Sequence, residues 1–269
     1  MERLSLTVGI VGAGSMGGAI ARGLVASGTL SPSQLTVFDL NKQAVAPLVA
    51  QGMAAAESGP ALVASGCDVV VLAVKPQVLP AVLAELAPYL TGRLVVSIAA
   101  GVTLETLEEG LPDARVVRVM PNLPLQVLSG ATAVCPGSQA TVSDTDIVRT
   151  LFGALGSAQV MTEAQLDVAG AVSGCGPAYF ALFVDDLTRA GVRCGLPAVA
   201  CREMVLATMR GVAQQLLDSG EHPRAYMEKV TSPGGTTAAG LEAMEWQLFQ
   251  ACSEAVDAAL ERTHELAEG

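Results

Sequence analysis

The chain has 269 residues, which is enough for one large domain or two modest ones with a substantial core. Its formal net charge is −11 and it has no run of basic residues, so a nucleic-acid partner is excluded. Hydrophobic residues make up 51% of the chain, yet the most apolar short run, Val69–Val74, is far too short to span a bilayer. These properties predict a soluble, cytoplasmic protein without a membrane segment.

The first half of the chain alternates short runs rich in Val, Leu and Ile with segments of helical spacing. The predicted strands are Thr7–Val11, Gln34–Phe38, Asp68–Ala73, Leu94–Ile98, Val116–Met120, Ala131–Val134 and Gln159–Met161. The predicted helices between them are Met16–Ser27, Lys42–Gln51, Pro76–Leu86 and Ser143–Ala154. This alternation predicts an α/β fold with a right-handed, doubly wound parallel sheet.

After about Glu163 the strand signals stop, and we place a domain boundary near residue 162. Three long helices are predicted at Pro177–Gly191, Pro197–Ser219 and Ala238–Leu266, with a shorter one at His222–Val230. The six cysteines form no CxxC pair and no His/Cys ligand spacing, so we expect reduced, mostly buried thiols and no metal site.

A glycine-rich turn between the first predicted strand and helix indicates a dinucleotide site. It consists of Gly12, Ala13, Gly14, Ser15, Met16 and Gly17, in the G-x-G-x-x-G frame. In this motif the first glycine allows the tight turn, the second lets backbone approach a pyrophosphate, and the third allows close helix packing. The alternative is a glycine-rich packing turn that binds no ligand.

Asp39 ends the second predicted strand, where an acidic side chain accepts hydrogen bonds from the adenosine ribose. Its charge repels a 2′-phosphate, although Lys42 could offset that repulsion. The residues therefore favour NADH and leave NADPH open. The alternative for Asp39 is an N-cap of the following helix.

Two further loops follow predicted strands, at the sheet edge where ligands of such folds bind. One contains Ala73, Val74, Lys75 and Pro76, and the other contains Ala99, Ala100 and Gly101. Small residues in the second loop would let a flat nicotinamide ring lie against backbone. Lys75 has the alternative of a solvated surface lysine.

Near the C-terminus, a Ser-Pro-Gly-Gly-Thr-Thr stretch directly precedes a helical pattern. Its hydroxyls and backbone amides make an anion site suited to a small carboxylate, or else an ordinary helix cap after a turn. The candidate contacts are Ser232, Gly234, Gly235, Thr236 and Thr237.

Together with Met120-Pro121-Asn122 and Ser173–Tyr179, these motifs resemble the pyrroline-5-carboxylate reductase family, in order and over nearly the whole chain. The resemblance implies a Rossmann-type domain (1–162) and an all-helical dimerisation and substrate-binding domain (163–269). It implies NAD(P)H-dependent reduction of the cyclic imine pyrroline-5-carboxylate to proline, at a site completed between subunits. Homodimers that assemble into larger rings such as decamers are implied as well. By the same resemblance, the Thr237 hydroxyl contacts the imine nitrogen, and Glu163 lies near the substrate.

The chain departs from the family pattern at Leu123, Gly170 and Cys175, where Thr, Thr and Ser are usual. The departures at Leu123 and Gly170 motivate one alternative, a dinucleotide-binding sensor or partner subunit without catalysis. A second alternative is a β-hydroxyacid dehydrogenase. That family places a lysine acid/base in the helix after the Gly-x-Gly turn, and here Gly176 is followed by Pro177-Ala178-Tyr179-Phe180, with no lysine.

Overall fold

In the computed structural model, which describes residues 4–268, eight strands form one sheet. They are β1 (Val8–Val11), β2 (Leu35–Phe38), β3 (Ala54–Ala55), β4 (Val69–Leu72), β5 (Leu94–Ser97), β6 (Arg115–Met120), β7 (Gly130–Pro136) and β8 (Gly156–Val160). Their order across the sheet is β3-β2-β1-β4-β5-β6-β7-β8. The chain moves outward from β1 to β3 and then returns to the other side of β1 with β4. This reversal creates the crevice in which such sheets bind ligands.

The predicted parallel sheet is confirmed for every pair except one, since β6 and β7 are antiparallel. Residues 121–129 connect them and contain only the short 3-10 turn Leu123–Val127. A parallel crossover needs a dozen or so residues, usually with a helix. The connection is therefore too short to bring β7 back in the parallel direction.

Helices cover both faces of the sheet. They are α1 (Ser15–Ala26), α2 (Lys42–Val49), α3 (Gly59–Ala64), α4 (Leu79–Leu86), α5 (Leu104–Gly110), α6 (Val142–Gly153) and α7 (Glu163–Ala169). Alternate residues of one strand enter different cores: Val69 and Val71 of β4 pack on one face, and Val70 and Leu72 on the other. Burial on both faces explains why the central strands read as continuous apolar runs.

The remaining helices are α8 (Gly176–Arg193), α9 (Ala198–Ser219), α10 (Pro223–Lys229) and α11 (Thr236–Glu268). Chain contacts divide the molecule into two compact units: one extends to Cys175 and includes the chain from Ala259, and the other runs from Gly176 to Ala258. The domain boundary near residue 162 stays a prediction.

Many apolar side chains of the second unit are exposed in the single chain, among them Phe180, Trp246 and Phe249. A π-helical turn, Gly170–Gly174, joins α7 to α8, and the resulting helical segment Glu163–Arg193 is long and apolar enough to span a membrane by length and composition alone.

The expectation of mostly buried thiols is wrong. Cys67, Cys135 and Cys201 are buried, whereas Cys175, Cys194 and Cys252 are exposed. Cys194 and Cys252 belong to the second unit, which presents much of its surface to solvent in the single chain.

Candidate active site

Close packing fixes the conformation of the glycine turn between β1 and α1. Gly12 has φ +99°, and a Cβ there would lie 2.5 Å from the Ala73 carbonyl oxygen. A Cβ on Gly17 would lie 1.9 Å from the Gly12 carbonyl oxygen. Around Gly14, by contrast, the described structure places no atom within 4 Å of the Cβ position, its chain neighbours aside. Two glycines therefore build the turn, and the third leaves its outer face open for close approach of a ligand.

The N-terminus of α1 faces this open side, and the helix itself contributes no negative charge there. Gly14 is its N-cap and offers no side-chain acceptor, and the first turn contains no acidic residue. The partial positive charge of the helix and its unsatisfied N–H groups are thus available to an anion. This arrangement suits the pyrophosphate of a dinucleotide.

Asp39 lies directly after β2 and ties that strand to the glycine turn. Its Oδ2 accepts a hydrogen bond from the Ala13 amide at 2.7 Å, and its Oδ1 accepts one from the Asn41 amide at 2.8 Å. The alternative that Asp39 caps α2 is wrong, because Asn41 is the N-cap and accepts from the Gln43 amide. Two backbone donors hold the carboxylate at the turn, as a ribose-binding acid requires. Lys42 is exposed at the first residue of α2.

A cleft of about 470 Å³ opens at the carboxyl ends of β1, β4, β5 and β6. It is lined by Gly14–Met16, Ala73–Pro76, Ile98–Ala100, Met120–Leu123 and Gly174. The structure thus brings together the three loops predicted to bind cofactor, with Gly12, Ala13, Gly17 and Gly101 in the turns that shape them. Lys75 is exposed on this cleft. The open glycine turn and the size of the cleft fit a nicotinamide dinucleotide.

The far wall of the cleft is fixed by Asn122 and the π-helical turn. Asn122 is buried, donates from Nδ2 to the Ser173 carbonyl at 3.0 Å, and accepts from the Ala131 amide at 2.8 Å. A Cβ on Gly174 would lie 2.9 Å from Met120 Cε, so the turn packs closely on β6. Single π-turns within helices frequently mark functional sites. The motif Met120-Pro121-Asn122 did not by itself predict this role for Asn122.

Glu163 begins α7 and is held by two donors within the first unit. Its Oε1 accepts from Arg118 Nη1 and from the Leu104 amide, both at 2.6 Å. Arg118 also donates from Nη2 to Asp167 Oδ1 at 2.8 Å. Arg118 was not predicted as a site residue, although a charged residue within the apolar run Val116–Met120 was the available signal. Burial, and next the Glu163 carboxylate, raise the pKa of the nearby Cys135 thiol.

The Ser-Pro-Gly-Gly loop of the second unit is a tight turn ahead of α11. The Gly235 amide donates to the Ser232 carbonyl at 3.0 Å, and Gly234 has φ +67° after Pro233, which describes a type II turn. The Gly235 amide is therefore engaged within the turn, contrary to the expectation that it is free for a carboxylate. Ser232, Thr236 and Thr237 are exposed in the single chain.

A glycine turn against a helix N-terminus, an acid at the end of β2 and a cleft at the reversal of strand order define a dinucleotide-dependent oxidoreductase. Residues 7–101 match a family described as NADP oxidoreductase, coenzyme F420-dependent. Residues 163–266 match the family described as pyrroline-5-carboxylate reductase dimerisation.

Full-length relatives agree with these matches. Pyrroline-5-carboxylate reductase 3 of Macaca fascicularis is 38% identical over 262 residues, covering 96% of this chain and 95% of the relative. A solved pyrroline-5-carboxylate reductase from Coxiella burnetii has a TM-score of 0.93 at 30% identity, covering 98% and 99% of the two chains. A Plasmodium falciparum pyrroline carboxylate reductase with NADP bound has a TM-score of 0.86 at 31% identity, covering 99% and 100%. The chain belongs to the pyrroline-5-carboxylate reductase family, as its motifs predicted.

Proposed function

We propose that this chain catalyses the NAD(P)H-dependent reduction of 1-pyrroline-5-carboxylate to L-proline, the last step of proline biosynthesis. The observation that carries the proposal is the 38% identity to a named reductase over nearly the full length of both chains. The cleft supports it, because the glycine turn and the small residues Ala99 and Ala100 that line it suit a nicotinamide dinucleotide. The chain is an oxidoreductase that acts on a C=N bond.

The reaction adds a hydride to the imine carbon and requires a proton that is kept on the ring nitrogen of the protonated imine or is supplied to it. When bound, the reduced nicotinamide would supply the hydride. Gly14 and the N-terminus of α1 would hold the pyrophosphate, while Ala99 and Ala100 would give the ring a flat surface. No strong acid is needed at the reacting centre, so the site acts mainly by orienting the imine and excluding water.

We assign substrate binding to the loop before α11. The free amides of Gly234 and Thr236 and the Ser232 hydroxyl suit the substrate carboxylate, since charge-assisted hydrogen bonds are the strong ones. The Thr237 hydroxyl is proposed as the contact to the imine nitrogen. Glu163 stays a proposed neighbour of the substrate, although its Oε1 already accepts two hydrogen bonds.

Cofactor preference follows from Asp39 in this proposal. Its carboxylate is fixed beside the glycine turn by two backbone amides, so it cannot easily turn away from the ribose. A fixed negative charge disfavours the 2′-phosphate of NADPH, and we propose a lean toward NADH. Lys42 is the nearest residue in sequence that could relieve the repulsion.

The dimerisation match covers the helices that expose Phe180, Trp246 and Phe249, which indicates a homo-oligomer. We propose that dimers assemble further into rings such as decamers. In this proposal the apolar helical segment Glu163–Arg193 packs against subunits and does not enter a membrane. A cytoplasmic location and the absence of a nucleic-acid partner are part of the same proposal.

The test is product analysis with excess pyrroline-5-carboxylate and a limiting amount of NADH or, separately, of NADPH. One proline formed for each reduced cofactor consumed, with at least one of the two, is the expected result. Binding of both cofactors without formation of proline from either would contradict it and favour the non-catalytic sensor. A matched pair then tests the reacting residue, since Thr237→Ser keeps the hydroxyl and Thr237→Val removes it from a side chain of similar shape.

A further inference from the structure

Arg118 is a buried charge in the middle of β6 that no step of the proposed reaction uses. Its side chain is 4% exposed, and it pairs with Glu163 at 2.6 Å and Asp167 at 2.8 Å. Both carboxylates lie on one face of α7, one turn apart. Burying a guanidinium is costly unless it is paired, so this position constrains α7 strongly relative to the sheet. Within the described part of the chain, its Nε has no hydrogen-bond partner.

The first consequence concerns the loop after β5. Glu163 Oε1 accepts from Arg118 and also from the amide of Leu104, the first residue of α5. That loop carries Ala99 and Ala100, which line the cleft. One carboxylate oxygen thus connects the buried arginine to the surface on which the nicotinamide end is proposed to lie.

The second consequence concerns the opposite wall. From Asp167 the helix α7 continues into the π-helical turn Gly170–Gly174. Gly174 lines the cleft, and the Ser173 carbonyl accepts from Asn122, which lines it as well. Fixing the position of α7 therefore also fixes the cleft wall formed by Gly174 and Asn122.

We infer that Arg118 is a positioning residue: through Glu163 and Asp167 it sets the spacing of the two cleft walls that receive the nicotinamide end of the cofactor. The consequence for turnover rests on the proposed function. The consequence for cofactor binding does not, because NADPH binding can be measured without substrate. Displacement of a reacting group by about 1 Å costs on the order of a hundredfold in rate, so wall spacing matters.

The experiment compares Arg118→Lys and Arg118→Met with Arg115→Met in the full-length oligomer. A lysine keeps the charge but cannot present a planar fork to two carboxylates. Arg115 is a matched control because it lies on the same strand and pairs at 2.8 Å with a buried carboxylate, Asp144. That pair lies at the start of β6, beside a separate depression lined by Ser5 and Asp68.

We expect both Arg118 variants to bind NADPH at least about fivefold more weakly and to lose about tenfold or more in kcat. Arg115→Met should change the Kd for NADPH and kcat by less than about twofold each, even if its Tm falls by as much as that of the Arg118 variants. Wild-type Kd and kcat in the Arg118 variants, or equal losses in the control, would overturn the inference. A wild-type chain that binds NADH and NADPH but forms no proline with either would defeat the proposed function, while the Kd comparison would still decide the role of Arg118.

A second pair keeps the test decisive if the Arg118 variants do not fold. Glu163→Gln retains an acceptor for the Leu104 amide, whereas Glu163→Ala removes it. NADPH affinity measured without substrate should be weaker in the alanine variant than in the wild type, and the glutamine variant should lose less. Wild-type affinity in the alanine variant would contradict the inference, and a direct substrate contact of Glu163 cannot affect this readout.

Discussion

Gly14 and Gly17 belong to the same turn, yet the structure predicts opposite outcomes for their replacement by alanine. Gly14 has φ −66° and ψ −160°, which alanine adopts, and no described residue beyond its chain neighbours approaches its Cβ position. A Cβ added at Gly17 would lie 1.9 Å from a backbone oxygen and 2.9 Å from Ala73 Cβ, so backbone must move. Gly14→Ala should weaken cofactor binding, and Gly17→Ala should lower the stability of the fold.

The magnitudes follow from these contacts. For Gly14→Ala, a less favourable N-cap costs about 0.5 kcal/mol, while reduced freedom of the unfolded chain returns about 0.4–1 kcal/mol. Stability should therefore change little, by less than about 2 °C in Tm. For Gly17→Ala, overpacking against backbone costs about 3 kcal/mol and helix propensity returns about 1 kcal/mol. The net loss of about 2 kcal/mol corresponds to roughly 4–8 °C in Tm.

Cofactor affinity should change in the opposite order, with the larger loss in Gly14→Ala. A methyl group on Gly14 enters the space that the pyrophosphate must approach, and such a clash costs about 1–3 kcal/mol, or about five- to 150-fold in Kd. Calorimetric titration of NADPH and thermal unfolding of the free protein separate the two effects. A Gly14→Ala variant with wild-type Kd for both NADPH and NADH would refute the placement of the pyrophosphate at this turn.

Three further predictions concern the substrate loop, the ribose acid and a buried thiol. Thr237→Val should lower kcat/KM by about ten- to a hundredfold, because a hydrogen bond to a charged group contributes about 1.5–3 kcal/mol. Steady-state rates equal to those of Thr237→Ser would exclude the hydroxyl from catalysis. Asp39→Ser should shift the ratio of kcat/KM values toward NADPH, and an unchanged ratio would show that Asp39 does not select the cofactor. The raised pKa of Cys135 means that its contribution to stability is present below the unfolded pKa, about 8.5, and is lost as pH rises through the folded value. Denaturant titrations should therefore show stability falling more steeply above about pH 8.5 in the wild type than in Cys135→Ala, and equal slopes would contradict this.

The sheet was largely predictable because its strands are buried on both faces and therefore read as short apolar runs. The pattern failed where elements are very short: Ala54–Ala55 has two residues, and Gly59–Ala64 and Leu104–Gly110 make fewer than two full helical turns. The antiparallel pairing of β6 and β7 was also not predicted. Alternation predicts strands but does not give their direction, which here depends on the length of one connection.

Within the site, local motifs were predictable and long-range partners were not. The glycine turn and Asp39 follow from a short pattern with a known spacing. The pairing of Arg118 with Glu163 and Asp167 joins residues 45 and 49 positions apart, and no local periodicity encodes it. The internal hydrogen bond of Gly235 was equally hidden, because only the folded turn shows which amides of a glycine-rich loop stay free.

The most direct test of the central claim is the initial rate of NADH and NADPH oxidation with pyrroline-5-carboxylate, measured at matched cofactor concentrations. The account predicts substrate-dependent oxidation of at least one cofactor, with kcat/KM favouring NADH because of Asp39. Tight binding of both cofactors with no oxidation of either on addition of substrate would contradict the assignment as a reductase.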